Sequence, residues 1–270
     1  MTRRLTATRQ TLDRFALYEL AVTAPLAMSR FLRAVHAGSP RVLREDFSGT
    51  AALARGWLAL DPSHRAISVD VDMSVARLVE RRTPREHRDR LRVVARAVVA
   101  CRLKADIIAA TNFPLGYFHD RSSLLRYLRH ARACLKPAGV FAADLYGGES
   151  AFRLGTTHKG LRGPGGERIT YHWEQRDANA ITNRVLNAIH FDVRDRDGRT
   201  RTIRDAFTYD WRLWSIPELK DAMLEAGFKE AEVHDSLGEA VDHLGHAYVR
   251  PMDDDDRLDP DYVVYVIARA

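Results

Sequence analysis

Through the first half of the chain, short apolar runs alternate with stretches whose apolar residues recur at helical spacing. Residues 11–35 read as helical, with Pro25 breaking or restarting the helix. Residues 41–45 form a short strand pattern. Residues 50–60 follow as a helix, with Ala51, Leu53, Ala54, Trp57 and Leu58 on one face. The spacing then predicts a strand over 66–70, a helix over 73–82 that stops before Pro84, and strands over 91–95 and 105–110. A helix over 121–135 halts before Lys136-Pro137-Ala138-Gly139, and a strand over 140–144 follows. Strands separated by helices imply βαβ units and a parallel sheet covered on both faces.

The second half reads differently. Residues 169–175, 183–193 and 200–214 alternate apolar and polar positions and are rich in aromatic residues. They predict antiparallel strands, and Asp197-Gly198 is a hairpin signal between the last two. Gly147-Gly148 and the Gly163–Gly166 stretch read as loops. The insert is thus a sheet of three or four strands. A helix over 217–226 ends at Gly227, and strands over 229–234 and 262–268 close the chain. Within the insert, Phe207, Tyr209, Trp211 and Leu213 share one face, and Thr208, Asp210, Arg212 and Trp214 the other. His172 and Glu174 share a face, as do His190 and Asp192.

Composition narrows the class. The chain has 270 residues, 46% of them apolar, which excludes a disordered polymer and permits a core without disulfide or metal staples. No apolar run approaches the roughly 18 residues of a membrane span. The basic start, Met1 to Thr6, lacks an apolar stretch and does not read as a secretory signal. Cys101 and Cys134 lie outside any CxxC pair, which fits a reducing compartment, the cytoplasm. The net charge of +6 could suggest nucleic acid. However, the densest basic stretch, residues 81–92, is broken by Glu86 and Asp89 and carries no aromatic residue for stacking. It reads as a solvated helix end and loop, and the acidic run 253–256 as a solvated loop.

The chemistry gathers where the first two strands end. Leu43-Arg44-Glu45-Asp46-Phe47-Ser48-Gly49-Thr50-Ala51 is a strand, a small-residue turn and a helix start, and the next strand ends at Asp70. Open α/β sheets bind ligands at this carboxyl edge. Gly49 allows close backbone approach, and Asp70 can accept two hydroxyls of a ribose. A nicotinamide cofactor wants GxGxxG, and a phosphate loop wants Gly-Lys-Ser/Thr; neither is present. Carboxylates repel pyrophosphate but suit a ligand with an ammonium and a sulfonium.

These residues resemble the class I S-adenosylmethionine-dependent methyltransferases. Glu45 falls on the family's acidic position and Gly49 on its second glycine, while Phe47 and Ala51 replace the first and third. Ser68-Val69-Asp70-Val71-Asp72 resembles the ribose-binding strand end. The stretch from Asp106 to Phe113 resembles the fourth strand with its acceptor-facing loop. The Lys136-Pro137-Ala138-Gly139 turn with the strand to Asp144, and the late helix before Phe228, also match, so the likeness covers residues 41–145 and 215–270. The insert's layout is similar to that of small-molecule N-methyltransferases.

The resemblance implies an α/β, Rossmann-like, doubly wound and mostly parallel seven-stranded sheet, with an antiparallel sheet inserted after the fifth strand. Residues 1–40 would form an N-terminal helical cap, 41–147 and 215–270 the cofactor-binding domain, and 148–214 a substrate-side sub-domain. S-adenosyl-L-methionine is the implied cofactor, held by Tyr18, Arg44, Glu45, Asp46, Gly49, Asp70, Val71, Asn112 and Phe113. The implied partner is a small-molecule methyl acceptor with an amine or hydroxyl, and a homodimer is compatible. Membrane and nucleic acid are disfavoured. His172, His190 and Tyr209 are candidate catalytic groups, with no metal site. Arg96 stands where the family often has an acid near the adenine. Arg96 and Phe47 together motivate an alternative, an inactive cofactor-fold protein for binding or assembly.

Overall fold

The computed structural model describes residues 12–238, 240–243 and 245–270. The basic start, read above against a secretory signal, and the first position of the expected N-terminal helix lie outside them. In chain order the elements are α1 (Arg14–Val22), α2 (Pro25–Val35), β1 (Val42–Asp46), α3 (Ala52–Leu60), β2 (Arg65–Asp70), α4 (Met73–Arg82), β3 (Leu91–Ala95), β4 (Ala105–Ala110) and α5 (Arg121–Ala133). There follow β5 (Leu135–Gly148), β6 (Gly155–Arg162), β7 (Arg168–Asn179), β8 (Arg184–Arg194), β9 (Thr200–Arg212), α6 (Ile216–Glu225), β10 (Glu230–His234), β11 (Ala240–Val241), β12 (Ala247–Tyr248) and β13 (Asp261–Arg269).

Seven strands form one sheet in the order β10-β13-β5-β4-β1-β2-β3, with β13 antiparallel to both neighbours. The chain moves outward from β1 to β3 and then returns to β4 on the other side of β1. The carboxyl ends of β1 and β4 therefore flank the switch point where such sheets open a crevice. Strand alternation divides the core between the two faces. Ile108, Phe141 and Val264 pack under α5 and α6, whereas Leu43, Ile107 and Ala109 pack with α2, α3 and α4. The helix starts follow local chemistry. Asp72 and Asp120 accept backbone N–H groups at the heads of α4 and α5, and Ser215 with Glu218 forms a capping box on α6.

The insert is a separate four-stranded antiparallel sheet, β6-β7-β8-β9. Its first strand, β6, is invisible in the sequence pattern because seven of its eight residues are exposed, so no apolar alternation marks it. One face of this sheet packs on α1, with Leu17 buried among Ile169, Ile189, Phe191 and Val193. Cys101 and Cys134 are free and buried. No single described helix is long and apolar enough to cross a membrane.

Candidate active site

The turn leaving β1 carries three left-handed residues, Phe47 (φ 56°), Gly49 (φ 49°) and Ala51 (φ 55°). These are the three positions matched to glycines in the resemblance, so the backbone keeps the conformation where the side chain differs. Left-handed backbone costs an L-residue about 1–2 kcal/mol. Ring contacts hold Phe47 in place, at 5.5 Å from Tyr127 and 6.0 Å from Phe118 between centroids. Two further bonds brace the turn: Ser48 N–H donates to the Val69 carbonyl at 3.0 Å, and the Ser48 and Ser68 hydroxyls share a bond of 2.7 Å.

Glu45 reaches across this turn and accepts the Ala54 N–H at 2.7 Å. It supplies the cap that Ala51 has no side chain to give. Burial pushes its pKa up to about 8, against the opposing pull of the helix N–H groups and Arg55. Asp70 is half-buried; its Oδ2 accepts from Gly49 N–H at 2.8 Å and its Oδ1 from Asp72 N–H at 3.0 Å. Each oxygen keeps a lone pair free. A Cβ added at Gly49 would meet nothing within 4 Å, so the space over the turn is open. Val71 and Met73 beside it are 72% and 64% exposed, an apolar shelf next to a carboxylate.

Arg44 and Asp46 are placed elsewhere, and the expectation for them is corrected. Both side chains are fully buried in a two-pronged ion pair, at 2.7 Å and 3.1 Å. Arg44 also donates to the carbonyls of Val98 and Cys101, and Tyr127 donates to Asp46 at 3.0 Å. Nothing is left over for a ligand. The pair ties the β3–β4 connection to the end of β1.

Across the crevice, Asn112 and Phe113 are consecutive left-handed residues after β4 (φ 69° and 65°). Their N–H groups both donate to the Asp144 carboxylate, at 2.7 Å each. Burial lifts the Asp144 pKa to about 6 despite these bonds. Sequence reasoning treated Asp144 only as a strand end. The available signal was an acid closing an otherwise apolar strand on the ligand edge.

Between this turn and the inserted sheet lies a cavity of about 720 Å³. Tyr18 from α1, Asn112 and Phe113 line it, together with Tyr146, Tyr171, Trp173, Tyr209 and Trp211. Tyr117 links cavity to turn, its ring 6.1 Å from Trp211 and 6.5 Å from Phe47. Burial raises the phenol pKa values of Tyr18, Tyr171 and Tyr209 well above the usual range, so all three stay protonated near neutrality.

His172 and His190 do not reach the cavity, which corrects their candidacy as bases. Tyr171 and Trp173 point inward, so the intervening His172 must point outward. The pairing His158↔His172↔His190 forms a row on the far face. There His172 meets His158 and Asp192 at 2.8 Å each, and His190 meets Glu174 at 2.9 Å. The Asp205 N–H donates to His190 Nδ1, which fixes its proton on Nε2. Of the three candidates, only Tyr209 faces the cavity. Among the described residues no group of three or more His, Cys, Asp or Glu is placed to hold a metal ion.

No protein-family model matches the chain, and no curated protein matches it in sequence. Solved structures do resemble it in shape. An S-adenosylmethionine-dependent methyltransferase from Clostridium acetobutylicum superposes with a TM-score of 0.66 at 16% identity, covering 95% of this chain and 97% of its own. A sugar N-methyltransferase from Streptoalloteichus gives 0.65 at 16%, covering 100% and 96%. An amino pentose methyltransferase from Micromonospora echinaspora, solved with S-adenosylmethionine bound, gives 0.67 at 14%, covering 95% and 96%. The chain therefore has the Rossmann-like fold of the class I methyltransferases, with the insert included in the superposition.

Proposed function

We propose that the protein is an S-adenosylmethionine-dependent methyltransferase acting on a small-molecule amine. The observation that carries this reading is the juxtaposition of two features. There is open space over Gly49, beside Asp70, and an aromatic-lined cavity bordered by Asn112 and Phe113, with the Tyr117 ring between Phe47 of the turn and Trp211 of the cavity. The residues present fit the cofactor. Asp70 would accept the ribose diol, Gly49 would admit the methionine end against the turn, and Val71 would cover the adenine. Glu45 would hold the helix that frames the turn. Arg96 is exposed and the loop after β3 carries no acceptor side chain, so the adenine amino group would be read by backbone. Phe47 takes the left-handed backbone conformation that glycine adopts readily, which supports the active reading.

The bound cofactor supplies an electrophilic methyl group on a sulfonium. The chain's own residues align the acceptor with it and exclude water, the main contribution to an in-line displacement. A hydroxyl acceptor usually needs a base. The tyrosines facing the cavity hold their protons, and the histidines lie on the other face of the insert. An amine arriving neutral needs no such group, and aromatic faces stabilise the cation that forms.

Titration calorimetry with S-adenosylmethionine tests the reading. Micromolar to submillimolar binding is expected. Asp70→Ala should weaken it at least tenfold, about 1.4 kcal/mol, with an unchanged circular dichroism spectrum. Binding indifferent to Asp70 would remove that residue from the site, and no binding at millimolar cofactor would refute the enzyme.

A further inference from the structure

Resting on the methyltransferase reading above, we infer that Asp144 is a positioning residue for the acceptor: its carboxylate holds Asn112 and Phe113 in a turn that the local sequence disfavours, and so sets one edge of the aromatic cavity. Both residues are left-handed, at φ 69° and 65°. Asparagine visits that region readily, but phenylalanine does so at a steric cost. Pro114 follows Phe113 and favours extended backbone before it, which adds to the conflict. Glycine would turn this corner unaided, but it would present no side chain. Here both residues line the cavity, and the Phe113 ring lies 5.0 Å from Tyr146 and 5.8 Å from Trp211 between centroids.

Asp144 answers that conflict from the neighbouring strand. Ala143 pairs with Ala110, the last residue of β4, so the next residue of β5 reaches past the strand end to the turn. Its Oδ2 accepts the Asn112 N–H and its Oδ1 the Phe113 N–H, one donor for each oxygen. On the other side β5 pairs with β13, where Tyr265 stands opposite Asp144. The side chain is 5% exposed, and among the described residues no cation is paired with it. The two backbone N–H groups are therefore the main compensation for a buried anion. The other titratable or charged groups around it are the phenols of Tyr18, Tyr146 and Tyr265, which burial keeps protonated, and Arg212, which is engaged with Glu218 at 3.2 Å. An asparagine here would keep one acceptor oxygen and turn an NH2 group toward the other N–H. The turn thus needs a carboxylate at this position, and a side chain of the same shape does not replace it.

Nuclear magnetic resonance on the isotopically labelled full chain reads the turn directly. In Asp144→Asn the Asn112 and Phe113 amides should exchange with solvent at least tenfold faster, while those of Phe141 and Ala142 in the same strand stay within threefold. The Trp211 indole N–H resonance should move, because the Phe113 ring stands edge-on to it at 78°. Adding Asn112→Gly, which makes one left-handed position free of strain, should bring that resonance part of the way back. In the unmutated protein the two amide resonances should shift together, with one midpoint, as Asp144 takes up its proton on acidification. With any amine the protein methylates, kcat/KM should fall at least tenfold in Asp144→Asn, with S-adenosylmethionine affinity within threefold by calorimetry. Unchanged exchange at both amides, separate midpoints, or an unchanged kcat/KM overturns the inference. Equal loss of protection throughout β5 makes Asp144 a general structural residue and overturns it too. Failure of the unmutated protein to bind S-adenosylmethionine sinks the methyltransferase reading instead, and the amide measurements still decide whether Asp144 holds the turn.

Discussion

The turn at residues 47–51 and the aromatic wall of the insert sit on opposite sides of one crevice and are built from opposite materials. The turn is a backbone device. Its shape is set by left-handed dihedrals at Phe47, Gly49 and Ala51 and by N–H groups bonded within it, Ser48 to the Val69 carbonyl and Gly49 to the Asp70 carboxylate. The wall is a side-chain device on regular strands, in which Tyr171, Trp173, Tyr209 and Trp211 matter and the backbone only spaces them. What the turn must conserve is a conformation, so a phenylalanine can stand where glycine is expected if neighbouring rings restrain it. What the wall must conserve is register, because a slip of one residue would exchange tyrosine and tryptophan for the histidine row behind them.

The largest expected effect separates the turn from the core beneath it. Arg44→Met removes the partner of a fully buried Asp46, and stranding a buried carboxylate costs about 3–5 kcal/mol. Urea unfolding should show that loss, while the fraction still folded binds S-adenosylmethionine as before. The opposite pattern, a normal unfolding midpoint with lost cofactor affinity, would return Arg44 to the ligand site and merge the two regions. Because Tyr127 also donates to Asp46, Arg44→Met with Asp46→Leu should recover part of the loss.

How much of this was legible follows from the same contrast. The turn and the acid that ends β2 are each encoded in a short contiguous stretch, and the strand order follows from the alternation of strands and helices. That is why Glu45, Gly49 and Asp70 could be named as candidates from sequence. Arg44 and Asp46 could not be sorted from Glu45 in that way, since alternation along a five-residue strand does not say which acids meet a helix head and which meet an arginine. Asp144 was missed because its role depends on Asn112 and Phe113, 32 and 31 residues away, turning their N–H groups toward it. In the insert, alternation was available and was applied within each strand. Once Tyr171 and Trp173 are counted among the residues lining the cavity, His172 must lie behind them. The strand β6 gave no such handle, being exposed on both faces.

A medium effect tests whether the turn's acid is held neutral. The Glu45 pKa rises from an ordinary 4.5 to about 8 because burial outweighs its helix contacts. A raised acid pKa in the folded state means that the native protein holds a proton the unfolded chain releases. Its stabilising contribution is complete below about pH 4.5 and is lost as pH rises toward 8. Asp144, lifted to about 6, adds to the lower part of that decline. Unfolding free energy should therefore fall between pH 5 and 8 in the natural protein. In Glu45→Gln, which can still accept the Ala54 N–H, the slope should be shallower. Equal slopes would mean that Glu45 is ionised throughout and meets the crevice as an anion.

The smallest expected effect is the sharpest test of which face of the insert does chemistry. His172 is hydrogen-bonded to His158 and Asp192, and Asp192 takes a further bond from Thr202. None of these groups is on the cavity side. His172→Ala should leave kcat and KM for any methylated amine within about twofold, with the pH–rate profile unmoved, since a change below about 0.4 kcal/mol is the scale of surface substitutions. Tyr209→Phe, at the inward position two strands away, removes only a hydroxyl. It should raise KM more than it lowers kcat, because it takes a contact from the bound acceptor and no proton from the reaction. A His172→Ala variant that loses a basic limb from its pH–rate profile would place the outer row in the reaction after all. The wall described here would then be facing the wrong way.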